Sequence, residues 1–209
     1  MSKLVYLGHA SFLFENSHSK IIFDPYQNRS VPNLKFPNQI EANLVLCSHD
    51  HFDHNAKELV KIVGTNNDIK VISMTVPHDH HNGTKRGLNH INMVELDGIK
   101  LVHLGDTGCV PSKETLEPFK NCDVLLAPIN GFYTINPVEL KQIMAIIQPR
   151  IVIPMHYYME QYQSGYPDNG MIDLFKKEFP NYQMVKDYQI DLEQYKNFDG
   201  VLIFEKYYQ

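Results

Sequence analysis

Short apolar strands that give way to a regular alternation of helix and strand predict an α/β (α+β) fold, in which two ββα-like halves pack sheet on sheet with helices outside. Three observations carry this expectation: a strand meander at the amino end, helix and strand alternating from about residue 112 onward, and turns rich in His and Asp that close several apolar strands. At 209 residues the chain is long enough for one full hydrophobic core, and it reads as a single domain over residues 1–209.

The first strands are Lys3 to Leu7, Ser11 to Glu15 and Lys20 to Phe23, rich in β-branched and aromatic residues and parted by turn residues, as an antiparallel meander requires. A loop rich in Pro and Asn runs from Tyr26 to Gln39. The run from Asn43 to Cys47 predicts a buried strand, and Asn55 with Glu58 three residues on predicts a helix from about Asn55 to Val63. A strand at Ile69 to Met74 precedes two more, Ile91 to Leu96 and Ile99 to Leu104, which the strong hairpin signal Asp97-Gly98 joins. Beyond them, helices near Ser112 to Lys120 and Pro137 to Ile147 alternate with strands Val124 to Ala127 and Ile151 to Pro154, the pattern of a parallel crossover. A helix near Met171 to Phe179 and strands near Gln183 to Lys186 and Val201 to Phe204 complete the series.

A net charge of -5 argues against a general affinity for nucleic acid or anionic membranes. The amino end lacks a long apolar core with a cleavage site, and no apolar run approaches about 20 residues, so a soluble, cytoplasmic protein with no membrane partner is expected. Cys47, Cys109 and Cys122 are odd in number and lack CxxC spacing, which predicts neither a disulfide framework nor a thiolate zinc knuckle.

The densest signal is Ser48-His49-Asp50-His51-Phe52-Asp53-His54, three histidines and two aspartates at the carboxyl end of an apolar strand. Neutral imidazole nitrogens and carboxylate oxygens converge at such a bend as a metal requires. Four other apolar strands close in the same way: Asp24 follows Ile21-Ile22-Phe23, His78 follows Val71 to Met74, Asp106 follows Leu101 to Gly105, and His156 follows Ile151 to Met155. A site along a common sheet edge accounts for all of them.

The spacing His49-x-His51-x-Asp53-His54, with Asp24 upstream and His78, Asp106 and His156 downstream, resembles the metallo-β-lactamase superfamily. That resemblance implies a four-layer αββα sandwich. The phrases Leu7-Gly8-His9-Ala10-Ser11-Phe12, Arg86-Gly87-x-Asn89, His103-Leu104-Gly105-Asp106, Pro128-Ile129-Asn130-Gly131-x-Tyr133-Thr134 and Ile153-Pro154-Met155-His156-Tyr157 are similar to the branch containing L-ascorbate-6-phosphate lactonase. The resemblance runs from about Val5 to Tyr157. It implies that His49, His51 and His78 hold one divalent metal and Asp53, His54 and His156 a second, bridged by Asp106, with Asp53 and Asp106 as the catalytic carboxylates. Asp24 is expected to support the histidine turn by hydrogen bonding.

Two divalent ions, Zn first and Mn or Fe also suited to these donors, would lower the pKa of a shared water and supply hydroxide to a small, anionic ester, lactone or phosphoester. No GxSxG or P-loop phrase offers another nucleophile or phosphate cradle. Arg86, Asn130, Tyr133 and His9 are expected around the substrate. The tyrosines Tyr157, Tyr158, Tyr162 and Tyr166, in the segment after the last ligand, are candidates for a lid or for core packing. A phosphodiesterase or nuclease of the same fold, a diiron redox protein on the same ligand frame and a non-catalytic metal-dependent sensor or scaffold are the rival readings, and a homo-oligomer is compatible with all of them.

Overall fold

The computed structural model describes residues 2–64, 69–160 and 168–209. Strands β1 (Lys3–Gly8), β2 (Ser11–Glu15) and β3 (Lys20–Phe23) form the expected antiparallel meander. After a two-residue strand β4 (Glu41–Ala42), β5 (Leu44–Leu46) pairs with β3 in parallel. That strand is half-buried at the sheet edge rather than fully buried as its apolar run suggested. With β13 (Gln189–Asp191), unanticipated from the sequence, the first sheet has the order β13-β1-β2-β3-β5.

The second sheet contains β7 (Lys70–Pro77), β8 (Leu88–Leu96), β9 (Ile99–His103), β10 (Val124–Pro128), β11 (Ile151–Met155), β12 (Tyr182–Val185) and β14 (Gly200–Phe204). Its order is β12-β14-β11-β10-β9-β8-β7, antiparallel from β7 to β9 and parallel from β9 to β12. Parallel pairing demands crossovers. Helix α2 (Pro137–Ile147) supplies one between β10 and β11, and α3 (Met171–Glu178) lies between β11 and β12. A four-residue helix α1 (Lys113–Leu116) precedes β10. α2 starts on a capping box, with the Asn136 side chain accepting from Val138 and Glu139 N–H, and it buries Leu140, Ile143 and Ile147 on one face.

The sheets meet face to face. Tyr6 and Phe12 of the first reach Phe204 of the second, and Phe23 stacks on the His103 ring with centroids 5.2 Å apart. On the outer face of the first sheet Val5, Leu7 and Leu13 border a groove shared with residues 37–41, and the Tyr26 hydroxyl donates to the Leu7 carbonyl.

The helix expected at Asn55 to Val63 is not one. Its first half is a single 3-10 turn, Lys57–Leu59, and its second half is strand β6 (Lys61–Ile62), paired in parallel with β4. The Asn55 side chain, the expected cap, instead donates to Asp50, and the alternation Val60-Lys61-Ile62 favours an extended backbone.

Candidate metal centre

Three of the strand ends bend abruptly. Asp24, after β3, and His156, after β11, have φ of 42° and 53°, and Gly105, after β9, has φ of 54°. This left-handed turn lets each strand finish and fold its next polar side chain back over the edge of the sheet. At Gly105 a side chain would strike Asn89 and Ser48, so only glycine fits. Gly108 is equally confined, because a Cβ there would meet the backbone of His78 and Asp79, to which the turn after Asp106 is tied by Gly108 N–H on Pro77 O.

The polar residues gather around Asp106. Its Oδ2 lies 3.2 Å from His156 Nε2, 3.4 Å from both His54 Nε2 and His78 Nε2, and 4.0 Å from His49 Nε2. Donor atoms of His49, His51 and His78 converge in one group, those of His9, Asp53, His54 and His156 in a second, and those of His49, His54 and Asp106 in a third. The structure thus brings together all seven residues that the sequence singled out as ligands. All but His51 and Asp53 are buried.

Asp24 holds the turn. Its Oδ1 accepts from Ser48 N–H at 2.6 Å, and its Oδ2 from the Ser48 hydroxyl at 2.6 Å and from His54 Nδ1 at 2.8 Å. Because the Ser48 hydroxyl gives its proton to Asp24, it accepts from His49 Nδ1 at 2.9 Å. Both imidazoles are thereby turned so that Nε2 faces Asp106. Ser48 drew no notice in the sequence beyond its place before His49.

His103 is fully buried and joins the sheets: Nε2 donates to Ala10 O at 2.7 Å and Nδ1 accepts from Gly105 N–H at 3.0 Å. Asn89 is buried beside it, its Oδ1 accepting from Asp106 N–H and its amide donating to Leu104 O. Neither role has a local sequence signature, since Ala10 is distant in sequence from His103, and Leu104 and Asp106 are distant from Asn89.

The charge balance favours a cation. Burial opposes a proton on His54, but Asp106, Asp53 and Asp24 outweigh it and hold its pKa well above the ordinary imidazole value. Burial likewise raises Asp106, yet His156 and His54 hold its carboxyl well below the usual range. Burial, with His54 next, pushes His49 down to about 2. His49 Nε2, His54 Nε2 and Asp106 Oδ1 are buried without a hydrogen-bond partner. Buried donor atoms facing one another in this way fit a divalent ion, whose charge would replace the proton on His54 Nε2 and satisfy them together.

A cleft of about 340 Å³ opens on this cluster, lined by His51, Asp53, His78 and Asp106 together with Phe52, Arg86 and Tyr133. The Arg86 guanidinium lies over the Tyr133 ring, 3.7 Å from its centroid. Asp79 shapes the loop that carries Arg86, accepting backbone N–H from His81, Gly83, Lys85 and Arg86. Burial raises the Asp79 carboxyl, but these donors, Arg86 foremost, bring it down to about 2.

Two expected substrate residues lie elsewhere. Asn130 is buried, is not among the cleft's lining residues, and accepts from Phe132 N–H. His9 is fully buried behind the cleft wall, its Nε2 3.2 Å from Asp53 Oδ2. His80 pairs with Glu139, away from the cluster. Tyr157 is buried and Tyr158 half-buried, while Tyr162 and Tyr166 lie outside the described residues. Cys109 is half-buried, and burial, then Glu139, raises its thiol pKa, which leaves it a poor nucleophile. Among the described residues, no helix is long and apolar enough to cross a membrane.

Residues 3–156 match the family model of the β-lactamase superfamily domain. A UPF0173 metal-dependent hydrolase of Thermococcus kodakarensis is 31% identical, the match covering 75% of this chain and 85% of the relative. A crystal structure from Thermotoga maritima, described as a zinc-dependent hydrolase of the metallo-β-lactamase superfamily, superposes with a TM-score of 0.78 at 29% identity and covers 98% of both chains. Igni18, a metallo hydrolase from Ignicoccus hospitalis, shares the fold with a TM-score of 0.58 at 21% identity, over 84% of this chain and 91% of its own. The strand ends that gather seven ligand-type residues, Asp106 among them, into one cluster, and the match along three-quarters of the sequence, place the chain in the UPF0173 metal-dependent hydrolase family of the metallo-β-lactamase superfamily.

Proposed function

We propose that the protein is a binuclear metallohydrolase, lactonase-like in chemistry, that cleaves a small anionic ester, lactone or phosphoester. The observation that carries this reading is the position of Asp106, with one carboxylate oxygen within 3.2–4.0 Å of four imidazole nitrogens from three separate parts of the chain. His49, His51 and His78 would hold one divalent cation, Asp53, His54 and His156 the other, and Asp106 would touch both. Zinc suits these donors, as do manganese and iron. Such ions acidify water and polarise an ester or phosphoryl oxygen at neutral pH.

The chain's own groups do the rest. Asp24 and Ser48 fix the two imidazoles before a ligand arrives, which avoids reorganisation during the reaction. Arg86, backed by Tyr133 and held from behind by the Asp79 loop, offers a guanidinium fork to a carboxylate or phosphate entering the cleft. The carboxylates Asp53 and Asp106 line the same cleft, where they would orient attacking water by accepting its hydrogen bonds.

Elemental analysis of protein purified without added metal and then gently loaded tests the reading, followed by a screen of lactones, phosphoesters and phosphodiesters. About two equivalents per chain and turnover of charged lactones or phosphoesters are expected. Saturation at one equivalent with full activity rejects the binuclear site, and preference for phosphodiesters rejects the substrate class.

A further inference from the structure

The turn between β1 and β2 reaches across to the second sheet. Gly8 and His9 both have left-handed backbones, with φ of 101° and 57°. The His9 carbonyl accepts His156 N–H at 3.1 Å and the Tyr6 hydroxyl at 3.1 Å, and the next residue, Ala10, accepts from His103. This pinning sets the buried His9 ring 4.2 Å from the His156 ring, with Nε2 3.2 Å from Asp53 Oδ2.

Asp53 needs such a neighbour. Its side chain is 28% exposed at the cleft, so its carboxylate is free to swing toward water unless something grips it. Its Oδ2 also lies 3.5 Å from His54 Nε2. His54 commits its Nδ1 proton to Asp24, so with a cation at Nε2 that ring has no proton left for Asp53. The ring on the other side of the oxygen is His9.

We infer that His9 is a positioning residue: its Nε2–H donates to Asp53 and holds that carboxylate toward His54 and His156, so that this half of the centre is organised before a cation enters. The inference rests on the metal-centre reading above. His9 then acts through Asp53 and meets neither water nor substrate in the cleft.

Two measurements test it, with zinc alone as the probe. Calorimetric titration of the metal-free protein should give two zinc equivalents for the parent. For His9→Ala, one equivalent should be held as in the parent and the other weakened about ten- to a hundredfold, the usual cost of losing a partner that orients a ligand. His9→Gln, which keeps an N–H at similar reach, should recover most of the loss. Ring-nitrogen NMR of the zinc-loaded parent should show His9 protonated at Nε2. Two equivalents held by His9→Ala with parental affinity, even at reduced thermal stability, would overturn the inference and leave His9 a packing residue. Loss of the Nε2 proton on zinc loading, with no rescue by glutamine, would overturn it in favour of direct coordination. A parent that takes up no zinc would instead reject the metal-centre reading itself.

Discussion

A single carboxylate, Asp24, settles the orientation of two imidazoles, one directly and one through the Ser48 hydroxyl. Asp24→Ala should therefore weaken metal binding about ten- to a hundredfold, as other losses of ligand-orienting partners do, while Ser48→Ala should reproduce only the His49 share of that loss. Titration of the metal-free variants with zinc would show it. Asp79 offers a cleaner pH effect. Its carboxyl sits at about 2 when folded against about 3.9 in an unfolded chain, so the loop it organises is stabilised above about pH 4 and loses that support as pH falls toward 2. In metal-free protein, amide exchange at Gly83, Lys85 and Arg86 should accelerate through that window, and Asp79→Asn should exchange faster at pH 7 with the acid step gone. The metal-ligand candidates were legible because four of them crowd one turn after an apolar strand and His78, Asp106 and His156 each follow another. Ser48, Asn89 and His103 were not, since each takes its role from a partner distant in sequence, Asp24, Leu104 and Ala10 respectively.

Among the elements, the strands of the meander and of the parallel crossover and helix α2 were readable from local pattern alone, because period, cap and turn residues agreed. The segment from Asn55 to Val63 misled because its cap signal and its β-branched residues point to different structures, and pairing with β4 decided between them. α2 gives a quantitative check on the agreement. Asn136→Ala removes the side-chain acceptor for Val138 and Glu139 N–H and should lower unfolding free energy by about 0.5–2 kcal/mol in a denaturant melt, with metal stoichiometry unchanged. Gly108→Ala is the contrasting case. A methyl group there forces the Asp106 turn away from His78 and Asp79, so activity and metal affinity should both fall much further than stability alone would suggest.

At the scale of the whole molecule, the centre belongs to neither sheet. His49, His51, Asp53 and His54 come from the turn after β5 of the first sheet, while His78, Asp106 and His156 close β7, β9 and β11 of the second. Each proposed group of donors reaches the open cleft through one half-buried residue, His51 in the first and Asp53 in the second, and in the second the other two, His54 and His156, are almost wholly enclosed where the sheets meet. With a cation in each proposed position, departure follows two different clocks. The ion at the cleft side can be handed directly to a competing chelator, so its release should quicken as chelator is added. The second ion would meet the cleft only across the Asp53 carboxylate, and where His9 holds that carboxylate in place the ion must wait for the sheets to part at their shared edge. Its release should be a slow phase whose rate is indifferent to chelator concentration and equals the rate at which the inter-sheet amides of His90, on Ser48, and His156, on His9, open to exchange. Stopped-flow mixing with a coloured chelator, set beside hydrogen exchange, would measure both rates. A single release phase proportional to chelator would show that the sheets do not gate the ion at all.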